Sequence, residues 1–332
     1  MKAVVMTAPG GPEMLELREV PEPALERDTQ MRVRLKAAGV NPVDTKLRAR
    51  GTYYPDRLPA ILGCDGAGVV EEIGRAVTRF ALGDETYFCN GGIGGEPGNY
   101  AEQIVIEEAY AAKKPACLSF IEAAAAPLVL ITAWEALHER AHVARDDTVL
   151  VHAGAGGVGH VAMQIARAAG ARVATTVSTE EKAALVRELG AEKVIRYASA
   201  DLVEAVDAWT DGHGVDIALD TVGGATFAET FAAVRVYGDL VTLLQPPPDA
   251  DWKVARLRNL RIALELMLTP QYMDLHRHRR RQAEILEECR RLFDAGRLRV
   301  TVSHALALDE AAEAHRLVGA GSTTGKIVLV MD

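Results

Sequence analysis

The stretch that decides the fold covers residues 148–159 and reads TVLVHAGAGGVG. Its first half is an apolar, β-branched run typical of a buried strand, and its second half places Gly154, Gly156 and Gly159 in a G-x-G-x-x-G pattern. Apolar residues at helical spacing follow over residues 158–169. A glycine-rich turn between a strand and a helix is the arrangement that binds the pyrophosphate of a dinucleotide. The sequence therefore predicts a dinucleotide-binding loop.

Each glycine of this loop has a predicted role. Gly154 allows the tight turn, Gly156 lets backbone N–H groups approach the pyrophosphate, and Gly159 lets the helix pack on the strand. The helix N-terminus then faces the anion. The predicted cofactor contacts of the loop are Gly154, Ala155, Gly156, Gly157, Val158 and Gly159.

The next strand, predicted over residues 172–177, indicates which dinucleotide binds. An NAD site usually carries Asp or Glu near the end of this strand, but residues 175–178 are Thr, Thr, Val and Ser. Ser178 can donate to a 2′-phosphate and Lys182 can supply positive charge, which favours NADPH. Alternatively, Ser178 is a helix N-cap with Glu181 completing a capping box, and Lys182 is solvated. Both interpretations can hold together, because a helix N-terminus also binds phosphate.

Length and charge limit the class of protein. The chain of 332 residues predicts two domains, and its net charge of −9 argues against a nucleic-acid or membrane-surface partner. It has no apolar run of the roughly 18 residues that span a bilayer, and its first ten residues do not resemble a signal peptide. We therefore expect a cytoplasmic protein. Its four cysteines are dispersed, which favours neither a disulfide framework nor a metal site.

The pattern along the chain predicts an α/β protein with a mostly antiparallel β domain and a doubly wound parallel sheet. The predicted domains are 1–121, completed by 268–332, and 122–267. In the second domain, the predicted strands are 148–153, 172–177, 193–195, 215–220, 239–244 and 260–266, and the predicted helices are 157–169, 179–189, 199–209 and 223–234. The tail predicts a helix over 278–296, a strand over 300–305, a helix over 309–319 and a strand over 326–330.

Further motifs carry a resemblance to a known family. They are AAGVNPVD at 37–44, GCDGAGVV at 63–70 and TGK at 324–326. Together with the glycine loop, they make the chain resemble the zinc-independent quinone oxidoreductase (zeta-crystallin-like) branch of the medium-chain dehydrogenase/reductase superfamily. The resemblance covers essentially the whole chain. It implies a GroES-like β domain, a Rossmann domain and, in many relatives, a homodimer.

The chain departs from the zinc-bearing members of that superfamily. They carry Gly-His-Glu where this chain has Gly-Cys64-Asp65, and a cysteine where it has Asn41. Their structural zinc lobe needs four close cysteines, and residues 86–100 supply only Cys89. A catalytic zinc needs three protein ligands. We therefore expect no metal.

The resemblance also implies site residues. It places Asn41 and Thr132 near the nicotinamide, where both are expected to take part in catalysis, and it adds Lys326 to the cofactor contacts. Asn41 is alternatively a turn residue before Pro42. Lys46 stands where many quinone reductases have a tyrosine facing the cofactor, and it is either a positive donor to the cofactor or a solvated side chain.

Tyr53 lies in a Gly-x-Tyr context similar to that of the catalytic tyrosine of enoyl-thioester reductases. It is expected either to protonate an enolate or hold a carbonyl group, or only to line the cleft. Further expected cofactor contacts, at the carboxyl ends of the third to fifth strands, are Tyr197, Thr221, Leu243 and Leu244.

Chemistry without a metal limits the reaction. A hydride added to a quinone, or to an alkene conjugated with a carbonyl group, leaves charge on an oxygen that hydrogen-bond donors can stabilise. The leading prediction is therefore an NADPH-dependent reductase of such small molecules. The alternatives are an enoyl-thioester reductase and a non-catalytic NADPH-binding protein.

Overall fold

Contacts within the chain divide the computed structural model, which describes residues 1–331, into two units. The first unit contains Met1–Leu128, Leu268–Gly296 and the described residues from Val300 onward. The second contains Val129–Met267 and Arg297–Arg299. None of the helices within residues 1–331 has the length and apolar character needed to cross a membrane.

The strands are β1 (Lys2–Met6), β2 (Leu15–Glu19), β3 (Gln30–Val40), β4 (Ala60–Ile61), β5 (Asp65–Ile73), β6 (Glu85–Cys89), β7 (Gln103–Glu107), β8 (Ala112–Lys113), β9 (Thr148–Val151), β10 (Arg172–Val177), β11 (Lys193–Arg196), β12 (Val215–Asp220), β13 (Val234–Thr242), β14 (Arg261–Leu264), β15 (Val302–Ala307) and β16 (Lys326–Val330). The helices are α1 (Pro42–Arg50), α2 (Phe120–Ala125), α3 (Pro127–Trp134), α4 (Gly157–Ala169), α5 (Glu180–Glu188), α6 (Leu202–Trp209), α7 (Ala225–Glu229), α8 (Lys253–Leu257), α9 (Thr269–Tyr272), α10 (His276–Asp294) and α11 (Ala311–Gly319).

A mostly antiparallel sheet organises the first unit. Its strands follow the order β15-β16-β3-β5-β6-β8, and β7 also pairs with β3. The register places Ile327 opposite Val40 and Asp65 opposite Gly39. A Cβ atom on Gly39 would lie 2.4 Å from the carbonyl oxygen of Ala124, so glycine is needed for α2 to pack on this sheet. The ends of three strands therefore meet at one place, immediately before α1.

A parallel sheet organises the second unit, with strands in the order β11-β10-β9-β12-β13-β14. This is the doubly wound order, in which the strand sequence reverses direction between β9 and β12. The buried core on this sheet includes Leu150, Ala218, Phe227, Phe231 and Leu240. The expected α/β class, with a Rossmann sheet and a second, mostly antiparallel sheet, is confirmed.

Several predicted elements have other bounds. The fifth strand, predicted over 239–244, is β13 and begins at Val234, so the preceding helix is shorter than predicted. Val234 and Val236 alternate as β-branched residues of a strand do, so β13 begins earlier than predicted. The helix predicted over 223–234 therefore extends too far towards the C-terminus. The helix predicted from residue 199 begins at Leu202, because the side chain of Asp201 accepts from the backbone N–H of Glu204 and caps it.

Candidate active site

The glycine loop places the N-terminus of α4 at the carboxyl end of β9. Gly154 is needed for packing, since a Cβ atom there would lie 2.0 Å from Oγ1 of Thr175 on β10. Gly159 is needed for the same reason, because its Cβ would lie 2.3 Å from the carbonyl oxygen of Ala153. The left-handed residue of the turn is Ala153, with φ at 50°. Gly154 thus serves the turn through this close approach to β10 and not through a left-handed backbone conformation.

Gly156 is less tightly enclosed than the other two glycines. A Cβ there would meet only Ala153, at 3.1 Å from the carbonyl oxygen. Gly156 is the N-cap of α4, so the N–H groups of the following residues form the first turn. Such a turn leaves N–H groups without intrahelical acceptors, and these bind phosphate. The loop therefore fits the pyrophosphate of a dinucleotide.

The end of β10 carries no carboxylate. Ser178 follows this strand, is half-buried, and its hydroxyl has no hydrogen-bond partner among residues 1–331. The predicted cap at Ser178 is wrong, because Thr179 is the N-cap of α5 and accepts from the backbone N–H of Lys182. Lys182 lies in the first turn of α5 and is half-buried. The hydroxyl of Ser178 is therefore available to a ligand.

Arg196 was missed by the sequence analysis. It ends β11, and the parallel register sets it directly beside Val177 of β10. Its guanidinium lies 3.7 Å from Glu180, which Arg187 also contacts at 2.7 Å. The two arginines lower the pKa of the Glu180 carboxyl, with Arg187 contributing most. Arg196 directly follows the strand predicted over 193–195, and this position was the signal in the sequence for a second cation at this edge.

Other predicted contacts lie at the same edge of the sheet. Tyr197 follows β11 and is 62% exposed. Thr221 follows β12, and its hydroxyl donates to the carbonyl oxygen of His152 at 2.8 Å. Leu243 and Leu244 follow β13 and are half-buried. Because parallel strands end at one edge, these residues share it with the glycine loop.

A buried histidine, His152, connects the strands at this edge of the sheet. His152 follows β9, and its ring contacts the hydroxyls of Thr176 at 3.3 Å and Thr230 at 2.9 Å. Burial lowers the pKa of His152 to about 4, although the negative charge of the nearby Asp220 partly opposes this effect. The ring is therefore neutral at pH 7 and ties the ends of β9 and β10 to the segment after α7.

Two expected nicotinamide neighbours lie on helices. Thr132 lies on α3 and is buried. Lys46 lies on α1 and is exposed, with no ion pair or hydrogen bond in the described part of the chain. The solvated interpretation of Lys46 thus agrees with its surroundings in the first unit.

Asn41 lies at the meeting point of the three strand ends described above and is completely buried. Its Nδ2 donates to Oδ2 of Asp65 at 2.9 Å, and its Oδ1 accepts from Nζ of Lys326. The partners define the orientation of the amide, since a carboxylate accepts and an ammonium donates. Asn41 is also the N-cap residue of α1, directly before Pro42. The turn interpretation and the buried polar role therefore hold together.

The charges in this cluster are paired. Asp65 accepts from the backbone N–H of Leu128 at 2.7 Å and lies 3.4 Å from Nζ of Lys326. Burial raises the pKa of Asp65, whereas Lys326 opposes this rise. Lys326 is 3% exposed. Within the first unit, its ammonium therefore balances a buried carboxylate and holds the amide of Asn41.

A second buried carboxylate lies beside Asn41. Asp44 accepts from the backbone N–H of Asn41 at 2.8 Å and from the Tyr100 hydroxyl at 3.1 Å. That hydroxyl also lies 3.2 Å from Nε2 of His315. Burial, the largest cause, and the charge of Asp65 together raise the pKa of Asp44 to about 7. Burial also lowers the pKa of His315 to about 3, so this ring is neutral.

The residues at the position of the superfamily's catalytic zinc do not fit that metal. Cys64 is fully buried, and its Sγ lies 3.8 Å from Oδ1 of Asp44. The Cys89 side chain and burial raise the pKa of the Cys64 thiol. Among residues 1–331, no three His, Cys, Asp or Glu side chains are grouped so that they can hold a metal ion.

Tyr53 lies after α1 with its ring 39% exposed. Its ring centroid is 4.8 Å from that of Tyr272, on α9. Its hydroxyl makes no hydrogen bond within the described residues, so it can donate to a ligand. Tyr272 was not among the site residues predicted from the sequence.

A cavity of about 760 Å³ lies at the opposite edge of the parallel sheet, where β9, β10, β12 and β13 begin. Its lining charges are largely paired within the protein. Arg172 contacts Glu192 at 2.5 Å, and Arg235 contacts Asp216 at 2.6 Å. This cavity is therefore separate from the glycine-loop edge.

Comparison with known proteins agrees with this geometry. Residues 27–116 match the alcohol dehydrogenase GroES-like domain family, and residues 189–329 match the zinc-binding dehydrogenase family. A quinone oxidoreductase of Pseudomonas aeruginosa is 34% identical over 333 residues, which cover 99% of each chain. A 2-haloacrylate reductase of a Burkholderia species is 34% identical over 340 residues, covering 99% of this chain and 98% of the relative.

Solved structures show the same relationship. The Escherichia coli quinone oxidoreductase, solved in complex with NADPH, superposes with a TM-score of 0.86 at 29% identity and full coverage of both chains. The protein belongs to the quinone oxidoreductase branch of the medium-chain dehydrogenase/reductase superfamily and is an oxidoreductase of that superfamily.

Proposed function

We propose that this protein uses NADPH to reduce a small quinone or an α,β-unsaturated carbonyl compound without zinc. The observation that carries the proposal is the edge of the parallel sheet described above. It combines a glycine loop at a helix N-terminus with a second strand that is followed by Ser178 rather than by an acid. The relatives named quinone oxidoreductase and 2-haloacrylate reductase support both substrate classes.

NADPH is proposed over NADH because the expected 2′-phosphate position offers donors and positive charge. Ser178 has a free hydroxyl, Lys182 lies in the first turn of α5, and Arg196 ends the neighbouring strand. Glu180, an acid in the same first turn, is paired with Arg187 and Arg196. Hydrogen bonds to charged groups contribute roughly 1.5–3 kcal/mol each.

The proposed division of roles follows from the side chains. The bound cofactor supplies the hydride. The N–H groups at Gly156–Gly159 hold its pyrophosphate, Asn41 and Thr132 orient the nicotinamide, and the Tyr53 hydroxyl donates a proton to the reduced substrate. Asp65 and Lys326 fix the amide of Asn41, so its orientation needs no adjustment when ligands bind.

The direct test is NADPH oxidation by the purified protein. Tetramethyl-1,4-benzoquinone, 2-cyclohexenone and crotonyl-CoA are compared as acceptors, and bound zinc is measured on the same sample. We expect turnover with the quinone or the enone in zinc-free protein. Turnover confined to crotonyl-CoA would favour an enoyl-thioester reductase. Tight NADPH binding with no turnover would favour a non-catalytic binding protein, and a stoichiometric zinc required for activity would overturn the metal-free chemistry.

We also propose that two copies of the chain associate through β14. This strand pairs only with β13 among the described residues, so its other side leaves backbone groups open. Leu257, Leu264 and Leu266 are 71%, 60% and 55% exposed around it. An open strand edge with exposed leucines suits pairing with another copy.

A cytoplasmic location is proposed from the cysteines. Cys64, Cys89, Cys117 and Cys289 are all free thiols. Thiols persist in reducing compartments, whereas disulfides are typical of oxidising ones. Cell fractionation tests this proposal, and recovery from an extracellular or periplasmic fraction would contradict it.

A further inference from the structure

Three segments of the first unit meet around Tyr53. The first contains Tyr53 and Tyr54, the second is the loop at residues 91–95, and the third is α9, which ends at Tyr272. The rings of Tyr53 and Tyr272 lie 4.8 Å apart, with 42° between their planes. We call this pair of rings the tyrosine platform.

The tyrosine platform is held by its surroundings. The Tyr54 hydroxyl donates to the carbonyl oxygen of Tyr272 at 3.2 Å, and the Tyr54 ring meets that of Tyr272 edge-on at 6.3 Å. Nε2 of Gln271 donates to the carbonyl oxygen of Gly91 at 2.8 Å. A Cβ on Gly95 would lie 2.9 Å from the Tyr54 ring, so the glycine lets this loop approach closely. These contacts fix α9 against the segment that carries Tyr53.

Tyr53 and Tyr272, which form the tyrosine platform, remain exposed to solvent. Tyr53 is 39% exposed, Tyr272 is 49% exposed, and the adjacent Met273 is 60% exposed. Aromatic rings bury large apolar areas when they can, and exposed clusters of them mark ligand sites. A preorganised aromatic surface also loses little conformational entropy when a ligand stacks on it.

We infer that Tyr272 is a specificity-determining residue that, together with Tyr53, selects flat fused-ring substrates over single-ring ones. This inference rests on the proposed function, and it deepens it by naming the part of the quinone class that the protein prefers. The second ring of such a substrate stacks on the tyrosine platform, and a single-ring substrate leaves part of the platform uncovered. Tyr272 acts through this stacking and not through its hydroxyl.

The test compares 2,3-dimethyl-1,4-naphthoquinone with tetramethyl-1,4-benzoquinone. Methyl groups or a fused ring block the reactive ring carbons of both against the exposed thiol of Cys117. We expect Tyr272→Ala to lower the ratio of kcat/KM for the two-ring over the one-ring quinone by roughly threefold to tenfold, mainly through KM. Tyr272→Phe should retain the wild-type ratio. Tyr237→Ala is the matched control, because Tyr237 is an exposed tyrosine of the second unit.

Binding of the two-ring quinone is measured separately by calorimetry without any nicotinamide, so that no reduction can occur. Binding that weakens in Tyr272→Ala without any turnover would support the tyrosine platform and overturn the proposed reductase function. Turnover with an unchanged ratio in Tyr272→Ala would support the reductase and overturn the platform. An equal fall for both quinones, or no binding of the two-ring quinone, would also overturn it.

Discussion

At the scale of single residues, the surroundings of Ser178 and Lys326 differ from those expected from the sequence. Ser178 was predicted to bind the cofactor or, alternatively, to cap α5, but Thr179 caps α5 and leaves the Ser178 hydroxyl without a partner in the described chain. Lys326 was expected to contact the cofactor, and the structure places its ammonium against Asn41 and Asp65. The contact between Asn41 and Lys326 joins residues 285 positions apart, and tertiary packing decides it.

Lys182 carries the first residue-scale prediction. Lys182→Ala should lower the preference for NADPH over NADH by about tenfold or more, because a charged contact to the 2′-phosphate is lost. The ratio of kcat/KM for the two cofactors measures this effect. Lys193→Ala removes the same charge at the amino end of β11 and should leave the ratio unchanged. An unchanged ratio in Lys182→Ala would show that Lys182 does not bind the 2′-phosphate.

Tyr53 carries the second prediction. Tyr53→Phe removes only the hydroxyl and should lower kcat for 2-cyclohexenone by at least about 100-fold, which is the usual contribution of a positioned proton donor. NADPH affinity should stay the same. Steady-state kinetics and a binding titration measure the two quantities. Activity within twofold of wild type would mean that Tyr53 only lines the site.

Asp44 carries a prediction about pH. Burial raises the pKa of this carboxyl to about 7, so the folded protein binds a proton that the unfolded chain has lost. The stability that this proton contributes is fully present below pH 3.8 and is lost as the pH rises towards about 7. Asp44→Asn keeps an oxygen acceptor and stays neutral. It should therefore gain stability relative to wild type between pH 4 and 7, by about 1.4 kcal/mol for each unit of pKa shift.

Urea denaturation at a series of pH values measures this difference. Asp249→Asn provides the control, since Asp249 is exposed. Parallel pH profiles for wild type and Asp44→Asn would show that the carboxyl is not buried in its neutral form.

At the scale of elements, the second and third glycines of the glycine loop, Gly156 and Gly159, contribute in different ways. A Cβ on Gly156 would meet only Ala153, with the carbonyl oxygen 3.1 Å away, so Gly156→Ala should cost less stability than Gly159→Ala and should weaken NADPH binding by roughly tenfold. Gly159→Ala would set a Cβ 2.3 Å from the Ala153 carbonyl oxygen and should lower stability by about 1–3 kcal/mol. Thermal unfolding and an NADPH titration separate the two effects. Equal losses of stability in both variants would contradict this division.

At the scale of the whole molecule, the β14 edge predicts a pair of chains. Light scattering should give about twice the 35.7 kDa mass of one chain. Leu264→Lys places a charge on the exposed edge and should shift the mass towards one chain. Leu17→Lys, at an exposed leucine of the first unit, is the control. A single-chain mass for the wild type would exclude the pairing.

Local patterns predicted most of this fold because its elements agree with their sequence periods. Helix α4, strand β10 and strand β12 have the predicted bounds. Each has a mainly apolar pattern of the expected period, and a change of that pattern marks its ends. The candidate site was less predictable. Its pairs, such as Asn41 with Lys326 and Tyr53 with Tyr272, join segments from opposite ends of the chain. No local pattern records such a pairing, because register and helix docking decide it.

The buried pair of Asp65 and Lys326 has a consequence for how these two positions can vary. Replacing either residue alone by an apolar one would leave the other charge buried without its partner, which typically costs about 3–5 kcal/mol. A well-packed apolar pair at both positions would avoid that cost. The two positions are therefore expected to change together, although 261 positions separate them along the chain.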